Sequence, residues 1–393
     1  MPAMAKGNAR KFINDIHLWL GLGSGIVLFL VCLSGTIYTF RTEIEERLNR
    51  EVYFVKDYQG KQALSLDSLL ATVEKSTQNK ISAVTIPSNA EKAWSFSAKP
   101  KGKEGGRGKT ILVNPYTGTI AGDTQTGSSR FFMTVMKMHR WLLMEQGTGR
   151  IIVGVATVIF ALMLLSGIIL WLPRRFRYWK QGLTILFRGK WKRINHDLHN
   201  TLGFYAFIFL LIMALTGLCW SFEGYRSGAS KILGAEIFGS KKEKPVQAAN
   251  SAGMMLSPDA ALKIAAGQLN YAGVTRLGFP EAKTVTFTVS KNNSNAWNTA
   301  AADKLVIDAY SGSILKKEAF ASKTTGQKIA ASIRSIHTGE IYGMFSKIIY
   351  FICCLIATSL PVTGTFIWIN KMKKKKPGPS KIPAAITQTI AVQ

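Results

Sequence analysis

Four of the five histidines in the chain fall at matched positions beside long apolar runs. His17 and His199 stand at the start of two such runs, 182 residues apart, and we call them the inner pair. His139 and His337 precede two further runs, 198 residues apart, and form the outer pair, whereas His196 has no counterpart. Neutral imidazole is the commonest metal ligand in proteins. The spacing therefore indicates two pairs of ligands.

Four runs without a charged residue must position these histidines. A helix needs roughly 20 apolar residues to cross a bilayer core about 30 Å thick, and it satisfies its own backbone hydrogen bonds there. We predict four transmembrane helices. The first is expected to be a retained anchor, because it is too long for a signal peptide and lacks a small-residue cleavage site. The runs cover residues 18–40, 151–172, 200–222 and 348–369.

The net charge of +28 is distributed unevenly along the chain. Basic residues cluster before the first run, between the second and third runs, and after the fourth run. These segments share one side of the membrane if every run crosses it, and the positive-inside rule makes that side the cytoplasm. We therefore predict a multi-pass protein in membrane lipid, with both termini cytoplasmic and no nucleic-acid partner. All four cysteines lie in apolar runs, so no disulfide framework or zinc motif is predicted.

The chain contains an internal repeat. "LSGTIYTF" in the first run matches "LTGLCWSF" in the third, and "LLSGIILWL" in the second matches "PVTGTFIWI" in the fourth. The segments between the runs match as well, through "LSLD" and "LSPD" and through "LVNPYTGTI" and "VIDAYSGSI". The pattern predicts an α-helical membrane protein with two parallel helix–domain–helix repeats. Each repeat carries one small α+β domain, whose Tyr-Thr-Gly or Tyr-Ser-Gly sequence predicts a hairpin turn.

These signals divide the chain into nine segments. Helices 1 to 4 are assigned to residues 13–40, 136–172, 196–222 and 336–370, where the second and fourth include an outward extension that carries an outer histidine. The two α+β domains are assigned to residues 41–135 and 223–335. The cytoplasmic segments are the tail 1–12, the basic loop 173–195 and the basic and polar tail 371–393.

Two histidines from facing helices of a bundle can hold a b-type haem by binding its iron from both sides. We therefore predict two haem b groups, one at the inner pair and one at the outer pair. The second ring nitrogen of each inner ligand needs an acceptor, and Asp15 and Asp197 are the nearest carboxylates in sequence. The cations expected to meet the haem propionates are Lys11, Lys192 and Arg193 inside, and Lys137, Arg140 and Arg334 outside.

Two other interpretations of the histidines remain. They can be interfacial side chains with the polar tip in water. Alternatively, His196 and His199, three residues apart on one helix face, can bind zinc or copper.

These motifs together resemble the PepSY-associated transmembrane family. The resemblance covers roughly residues 10–370 and is carried by "DIHLWLGL", "HDLHNTLG", "TGTFIWI" and the duplicated Tyr-[Ser/Thr]-Gly domain ends. It implies an iron-regulated protein of the bacterial inner membrane with two PepSY domains in the periplasm. It also implies that His17 and His199 bind the inner haem and that His139 and His337 bind the outer haem, with His196 as an alternate inner ligand.

The function implied by the resemblance is that of a ferrisiderophore reductase, an oxidoreductase that transfers electrons through the membrane to Fe(III)-siderophore in the periplasm. No flavodoxin-like module is recognised in the chain, so the expected donor is a quinol or a separate cytoplasmic reductase. The basic segment 99–109 is expected to be a solvated loop. Two alternatives are a non-catalytic membrane protein whose outer domains bind or inhibit a peptidase, and an importer of a siderophore or metal ion.

Overall fold

The computed structural model describes residues 3–56, 58–99, 108–239, 253–281 and 284–373. The basic segment 100–107 and the C-terminal tail after Lys373 lie outside this part. The helices are α1 (Ala3–Tyr38), α2 (Arg41–Leu48), α3 (Arg50–Tyr53), α4 (Leu66–Thr77), α5 (Gly127–Trp141), α6 (Gln146–Trp171), α7 (Trp191–Asp197), α8 (Gly203–Ser221), α9 (Glu223–Leu233), α10 (Pro258–Gln268), α11 (Thr325–Thr338) and α12 (Gly343–Met372). The strands are β1 (Ile81–Ile86), β2 (Trp94–Ala98), β3 (Thr110–Val113), β4 (Ile120–Asp123), β5 (Thr275–Gly278), β6 (Thr286–Asn292), β7 (Ala302–Asp308) and β8 (Ile314–Glu318).

Four helices in the described part are long and apolar enough to cross a membrane. They are α1, α6, the continuous helix formed by α7 and α8, and α12, as the four apolar runs predicted. Helix α1 packs against α6 and α12, and α8 packs against the same two helices, so the four form a closed bundle. Leu210, Ala206, Cys353 and Ala357 fill its buried centre. The protein is therefore a helical bundle with polar segments at its ends.

Hydroxyl groups inside the bundle are satisfied by helix backbone. Ser34 Oγ donates to Leu30 O at 2.6 Å, and Thr36 Oγ1 both donates to Cys32 O and lies 3.3 Å from Thr358 Oγ1 on α12. An unpaired polar group in hydrocarbon costs several kcal/mol, roughly 2–7. These contacts allow small polar residues to line the interface between helices, where their size permits close approach.

The segments between the membrane helices fold together into one antiparallel sheet of eight strands in the order β4-β3-β2-β1-β5-β6-β7-β8. Each half consists of a helix followed by four strands, with the predicted turn between the third and fourth strands. The halves join where β1 pairs with β5. Val84, Phe96, Leu277 and Phe287 are almost fully buried in the shared core. The two predicted domains therefore have a common hydrophobic core.

The Tyr-Thr-Gly and Tyr-Ser-Gly sequences form the predicted turns. Gly118 (φ +74°) and Gly312 (φ +70°) adopt the left-handed conformation that glycine accepts without strain. Asn114 and Asp308 begin the two turns, and their side chains accept hydrogen bonds from backbone N–H groups two residues later. This is the mechanism by which Asn and Asp favour turns.

The "LSLD" and "LSPD" sequences join the two halves. Asp259, in the first turn of α10, accepts hydrogen bonds from Leu66 N (2.9 Å) and Asp67 N (3.2 Å), in the first turn of α4. In the opposite direction, Asp67 Oδ1 accepts one longer hydrogen bond from Asp259 N, at 3.4 Å. Free N–H groups at a helix start favour a carboxylate. Each helix thus caps the other, and Asp259 makes the stronger contribution.

We predict that Asp259→Ala opens the junction between α4 and α10, because it leaves two N–H groups of α4 without their carboxylate. The expected cost is about 1–3 kcal/mol. In hydrogen-exchange mass spectrometry on the full chain, the segment around Leu66 and Asp67 should exchange faster. Asp67→Ala is the matched control and should have a smaller effect. Equal effects of the two variants would contradict this role of Asp259.

Candidate functional site

The inner pair meets between two diagonal helices of the bundle. His17 lies on α1, and His199 lies in a short π-helical segment, Leu198–Leu202, that joins α7 to α8. Their ring centres are 6.5 Å apart, with the ring planes at 89°. A nitrogen ligand binds a metal ion at about 2 Å, so two imidazoles on opposite sides of one ion have centres roughly 6 Å apart. The spacing suits one shared ion. Single-turn π-helices are frequent at functional sites.

The outer pair lies on two shorter helices. His139 is near the end of α5 and His337 near the end of α11, and their ring centres are 6.3 Å apart with the planes at 54°. The outward extensions expected for the second and fourth membrane helices are not continuous with them. Positive φ angles at Leu142 (54°), Leu143 (59°) and Gly339 (75°) end α5 and α11 before the membrane helices begin, because a right-handed helix cannot contain them.

Each imidazole is held through Nδ1 by a neighbouring membrane helix. His17 Nδ1 lies 2.8 Å from Ser166 Oγ on α6, and His199 Nδ1 lies 2.9 Å from Thr363 Oγ1 on α12. The expectation that Asp15 and Asp197 hold these rings was wrong. Inside an apolar bundle a neutral hydroxyl, itself bonded to helix backbone, avoids the cost of burying a second charge.

The outer imidazoles bind helix backbone. His139 Nδ1 donates to Val31 O at 2.9 Å, and His337 Nδ1 donates to Met213 O at 3.0 Å. A carbonyl oxygen only accepts hydrogen bonds, so the proton is on Nδ1 and the lone pair is on Nε2. Val31 and Met213 are 182 residues apart, the same separation as His17 and His199. The two rings are therefore fixed in equivalent ways with Nε2 available as a ligand.

Each of the four apolar runs contains a Ser-Gly or Thr-Gly pair, which we call the Ser/Thr-Gly step, and its glycine makes room for one of these rings. A Cβ atom on Gly35 would lie 3.1 Å from His139 Cε1, and one on Gly217 would lie 3.1 Å from His337 Cε1. For the inner pair, the corresponding distances are 3.4 Å between Gly167 and His17 and 3.2 Å between Gly364 and His199. Each Ser/Thr-Gly step thus places a side-chain hydroxyl next to a glycine whose missing side chain leaves space for an imidazole ring.

Burial keeps the outer imidazoles neutral. It lowers the pKa of His337 to about 4, and a positively charged His139 nearby would lower it further. Burial also lowers the pKa of His139 below its ordinary value. Both shifts favour the uncharged imidazole, which is the form that binds metal ions.

A cavity of about 600 Å³ surrounds the inner pair. Ligand pockets of organic molecules typically have about 300–1,000 Å³. Four glycines contribute to its walls, and Phe204 stacks on Trp171 beside it, with ring centres 3.9 Å apart. The cations that line it are Arg10, Lys11, Arg174 and Lys371, together with a single carboxylate, Asp15. The cavity is thus apolar inside and basic at one end, which suits a flat molecule with an anionic edge.

Of the cations expected at the inner pair, only Lys11 lines the cavity. Arg193 Nε instead binds Asp197 Oδ2 at 2.9 Å. Arg10 was missed as a site residue, and it donates to Leu170 O and Leu172 O at the end of α6. Basic residues that flank membrane spans are the signal that could have identified it.

His196 also lines the inner cavity. Its side chain is 57 % exposed, and its Nδ1 lies 3.5 Å from Asp197 Oδ1. Within the described residues, no group of three or more His, Cys, Asp or Glu side chains could hold one ion. A zinc or copper cage around His196 and His199 therefore lacks further protein ligands in this part of the chain.

The arginines expected at the outer pair occupy different surroundings. Arg140 lies over the Trp141 ring at 5.0 Å, whereas Arg334 lines a second, polar cavity. Sequence reasoning missed Trp220, whose ring centre is 5.2 Å from that of His337. The Trp141 Nε1 atom is buried, and it has no hydrogen-bond partner in the described part of the chain.

The two pairs lie near opposite ends of the bundle. His17 and Gly35, which contacts His139, are 18 residues apart on α1. At a rise of 1.5 Å per residue, this separation is about 27 Å along the helix. His199 and Gly217 show the same spacing on the opposite side of the bundle.

Comparison with known families places the whole of this arrangement in one family. The model of the PepSY-associated TM region matches residues 15–371. The chain belongs to this family. The matched region contains both histidine pairs, the four apolar helices and the eight-stranded sheet, so the resemblance noted from the motifs is confirmed. Comparison with curated proteins gave no significant match.

In this PepSY-associated TM protein, the glycine beside His139 can be tested directly. We predict that Gly35→Ala destabilises the protein by about 1–3 kcal/mol, because the added methyl group crowds a ring that Val31 O holds in place. Gly23→Ala on the same helix is the matched control. It meets no atom within 4 Å and should stabilise the helix by about 0.5–1 kcal/mol. Thermal unfolding in detergent should show opposite shifts, and shifts of the same sign would contradict this role of Gly35.

Proposed function

We propose that this protein is a transmembrane haem b reductase of the bacterial inner membrane that reduces Fe(III)-siderophore in the periplasm and releases the iron as Fe(II). The observation that carries the proposal is the presence of two histidine pairs with ring centres 6.5 Å and 6.3 Å apart, one near each end of the bundle. Each pair offers two ligands for one iron, which leaves the remaining positions to a macrocycle from outside the chain.

The surroundings of the inner pair support haem over a bare metal ion. The cavity accepts an organic molecule, its glycines permit close approach of a flat ring, and its basic end offers partners for two propionates. At the outer pair, the unpaired Trp141 Nε1 offers a buried hydrogen-bond donor two residues from His139. Haem iron, when bound, supplies one-electron transfer at each centre.

The chain's own residues would set the conditions for that chemistry. The Ser166 and Thr363 hydroxyls and the Val31 and Met213 carbonyls fix the direction of each imidazole. The centre of the bundle is filled by buried apolar side chains. An acceptor on Nδ1 raises the basicity of the metal-bound nitrogen, and this tunes the affinity of the ligand for iron.

The proposed direction of electron flow is supported by the charge distribution. The positive-inside rule assigns the basic end, next to the inner pair, to the cytoplasm and the sheet to the periplasm. A quinol or a separate cytoplasmic reductase would supply electrons to the inner centre, and the outer centre would pass them to the chelated ion. Oxygen ligands of a siderophore hold the harder Fe(III) more tightly than Fe(II), so reduction weakens the complex.

We predict that the purified protein holds two haem b groups per chain. His17→Ala and His337→Ala should each remove about half of the pigment, because each variant deletes one ligand of one pair. Haem per chain is measured from the absorbance of the dithionite-reduced protein. His196→Ala is the control and should retain both groups, since its side chain is 57 % exposed and its Nδ1 faces Asp197.

A colourless protein from cells well supplied with porphyrin would contradict this function. That result would favour the alternative in which the sheet binds or inhibits a peptidase without redox chemistry. Loss of the inner haem in His196→Ala would reassign the inner ligand instead.

We predict that Ser166→Ala weakens the inner centre selectively, because His17 loses the group that orients it. Loss of such an outer contact typically costs about 10–100-fold in metal affinity. Haem retention at the inner centre should fall during dilution, and its midpoint potential should change while the outer potential stays constant. Ser166→Thr keeps a hydroxyl, as Thr363 does at the equivalent position, and should restore both properties. Equal behaviour of the Ala and Thr variants would rule out the hydroxyl as the orienting group.

A further inference from the structure

A second cavity, of about 510 Å³, lies where the second half of the sheet meets the start of α12. We infer that this cavity is the docking site for the electron acceptor, an anionic and oxygen-rich Fe(III) chelate that contacts Arg334. The inference rests on the proposed function, and it identifies where the substrate binds and which charged group recognises it.

The polar residues that line the cavity are Glu43, Asn292, Thr299, Arg334, Ser335, Glu340 and Lys347.

The cavity is adjacent to the outer pair. Arg334 lies three residues before His337 on α11, a rise of about 4.5 Å along the helix. Ser335 lines the cavity as well, and Glu340 follows His337 in the next turn. A chelate in the cavity would therefore lie beside the helix turn that carries an outer ligand. Arg334 and Thr299 are exposed, so the cavity is accessible from solvent.

The loop between β6 and β7 forms one wall of the cavity and is fixed to residues 340–342, the short turn that leads into α12. Thr299 N donates to Ile341 O at 3.1 Å, and Trp297 stacks on Tyr342 with ring centres 5.2 Å apart. Asn292 donates to Thr299 O and so supports the same loop. These contacts keep the sheet and the bundle in register at the cavity.

The charges in the cavity leave one cation available for a ligand. Lys347 is only 4 % exposed, and its Nζ binds both carboxylate oxygens of Glu43, at 2.8 and 3.0 Å, and Glu340 at 3.3 Å. Two carboxylates therefore more than balance its positive charge, so Lys347 is not available to bind an anion. In the part of the chain that the structure describes, the Arg334 guanidinium has no ion-pair or hydrogen-bond partner. A guanidinium binds planar carboxylate-type groups through two parallel hydrogen bonds.

The charged groups are not a by-product of the internal repeat. At the positions that the internal repeat makes equivalent, the other half has Met136 in place of Arg334, Leu142 in place of Glu340 and Tyr225 in place of Glu43. Only one half of the molecule thus carries this set of charges beside an outer histidine. A single acceptor site on one half explains why the two halves differ here although the histidines and their supports match.

The electron balance of the proposed step is simple. The chelated Fe(III) would gain one electron and become Fe(II), and a haem held by His139 and His337 would supply that electron. A quinol or flavin-type reductant on the cytoplasmic side restores that electron through the inner centre. Arg334 neither gains nor loses a proton in this step, because its role is to hold the anionic chelate.

The test uses Ga(III) citrate, which has the charge and oxygen ligands of the ferric complex but is not reduced under these conditions. Binding to the purified full chain is measured by isothermal titration. Arg334→Gln should raise the Kd by about tenfold or more, because a hydrogen-bonded charge is lost. Arg334→Lys should be intermediate, since it keeps the charge without the forked geometry.

Arg130→Gln is the matched control, because it removes one exposed positive charge from α5, the helix that carries His139. It should leave the Kd unchanged. Equal Kd values for the Arg334→Gln and Arg130→Gln proteins, or no binding by the unaltered protein, would overturn the site. So would loss of outer haem from Arg334→Gln with unchanged Ga(III) citrate binding, which would make Arg334 a propionate partner instead.

The proposed function is tested separately by the haem content. Ga(III) citrate binding requires no electron transfer, so it can succeed or fail independently of that result. With Fe(III) citrate as the acceptor, Arg334→Gln should raise KM by a similar factor and leave the spectra of both haems unchanged.

Discussion

The arrangement of the membrane part depends on one contact, which is made four times. An imidazole from one helix packs into the gap above a glycine on a neighbouring helix, and its Nδ1 binds a hydroxyl or carbonyl of that same helix turn. The glycine sets how closely the ring approaches, and the hydrogen bond sets its rotation. Because one ring nitrogen is fixed in this way, the other is left as a directed ligand.

This contact also determines which helices must be neighbours. The inner histidines on α1 and on the π-helical segment before α8 bind α6 and α12, and the outer histidines on α5 and α11 bind α1 and α8. Every membrane helix therefore holds one histidine of a neighbouring helix: α6 and α12 each hold an inner ring, and α1 and α8 each hold an outer ring. A substitution that shifts one helix would disturb both the packing and a ligand, so the fold and the site are constrained by the same residues.

Much of this arrangement could be predicted from the sequence. The four apolar runs gave the membrane helices, because length and lack of charge suffice for that prediction. The matched spacing of His17 with His199, and of His139 with His337, was enough to group the four residues that the structure brings together. The Tyr-Thr-Gly and Tyr-Ser-Gly turns formed as expected, because their conformation is local.

The features that depend on contacts between distant segments could not be predicted. Ser166 and Thr363 lie in the matched sequences "LLSGIILWL" and "PVTGTFIWI", and nothing in that match indicated that they hold histidines 149 and 164 residues away. Nearness in sequence favoured Asp15 and Asp197 instead, but a short side chain one or two residues away on the same helix does not face the ring. The pairing of β1 with β5 across the two halves is likewise invisible to strand periodicity.

The two ends of the bundle differ in what holds their histidine pairs together. Both inner imidazoles are carried by the membrane-spanning helices themselves. The outer imidazoles lie on short helices, and there the ion pairs of Lys347 connect Glu43, just after α1, with Glu340, just after α11. Since α1 supports His139 and α11 carries His337, this lysine connects the two sides of the outer pair. The lysine is buried but both carboxylates are about 40 % exposed, so solvent screening lowers the cost of breaking these pairs below that of a fully buried pair. The charged cluster can therefore keep the outer pair in place at the end of the bundle that faces the sheet and its polar cavity, where the histidines lie on short helices and not on the membrane helices.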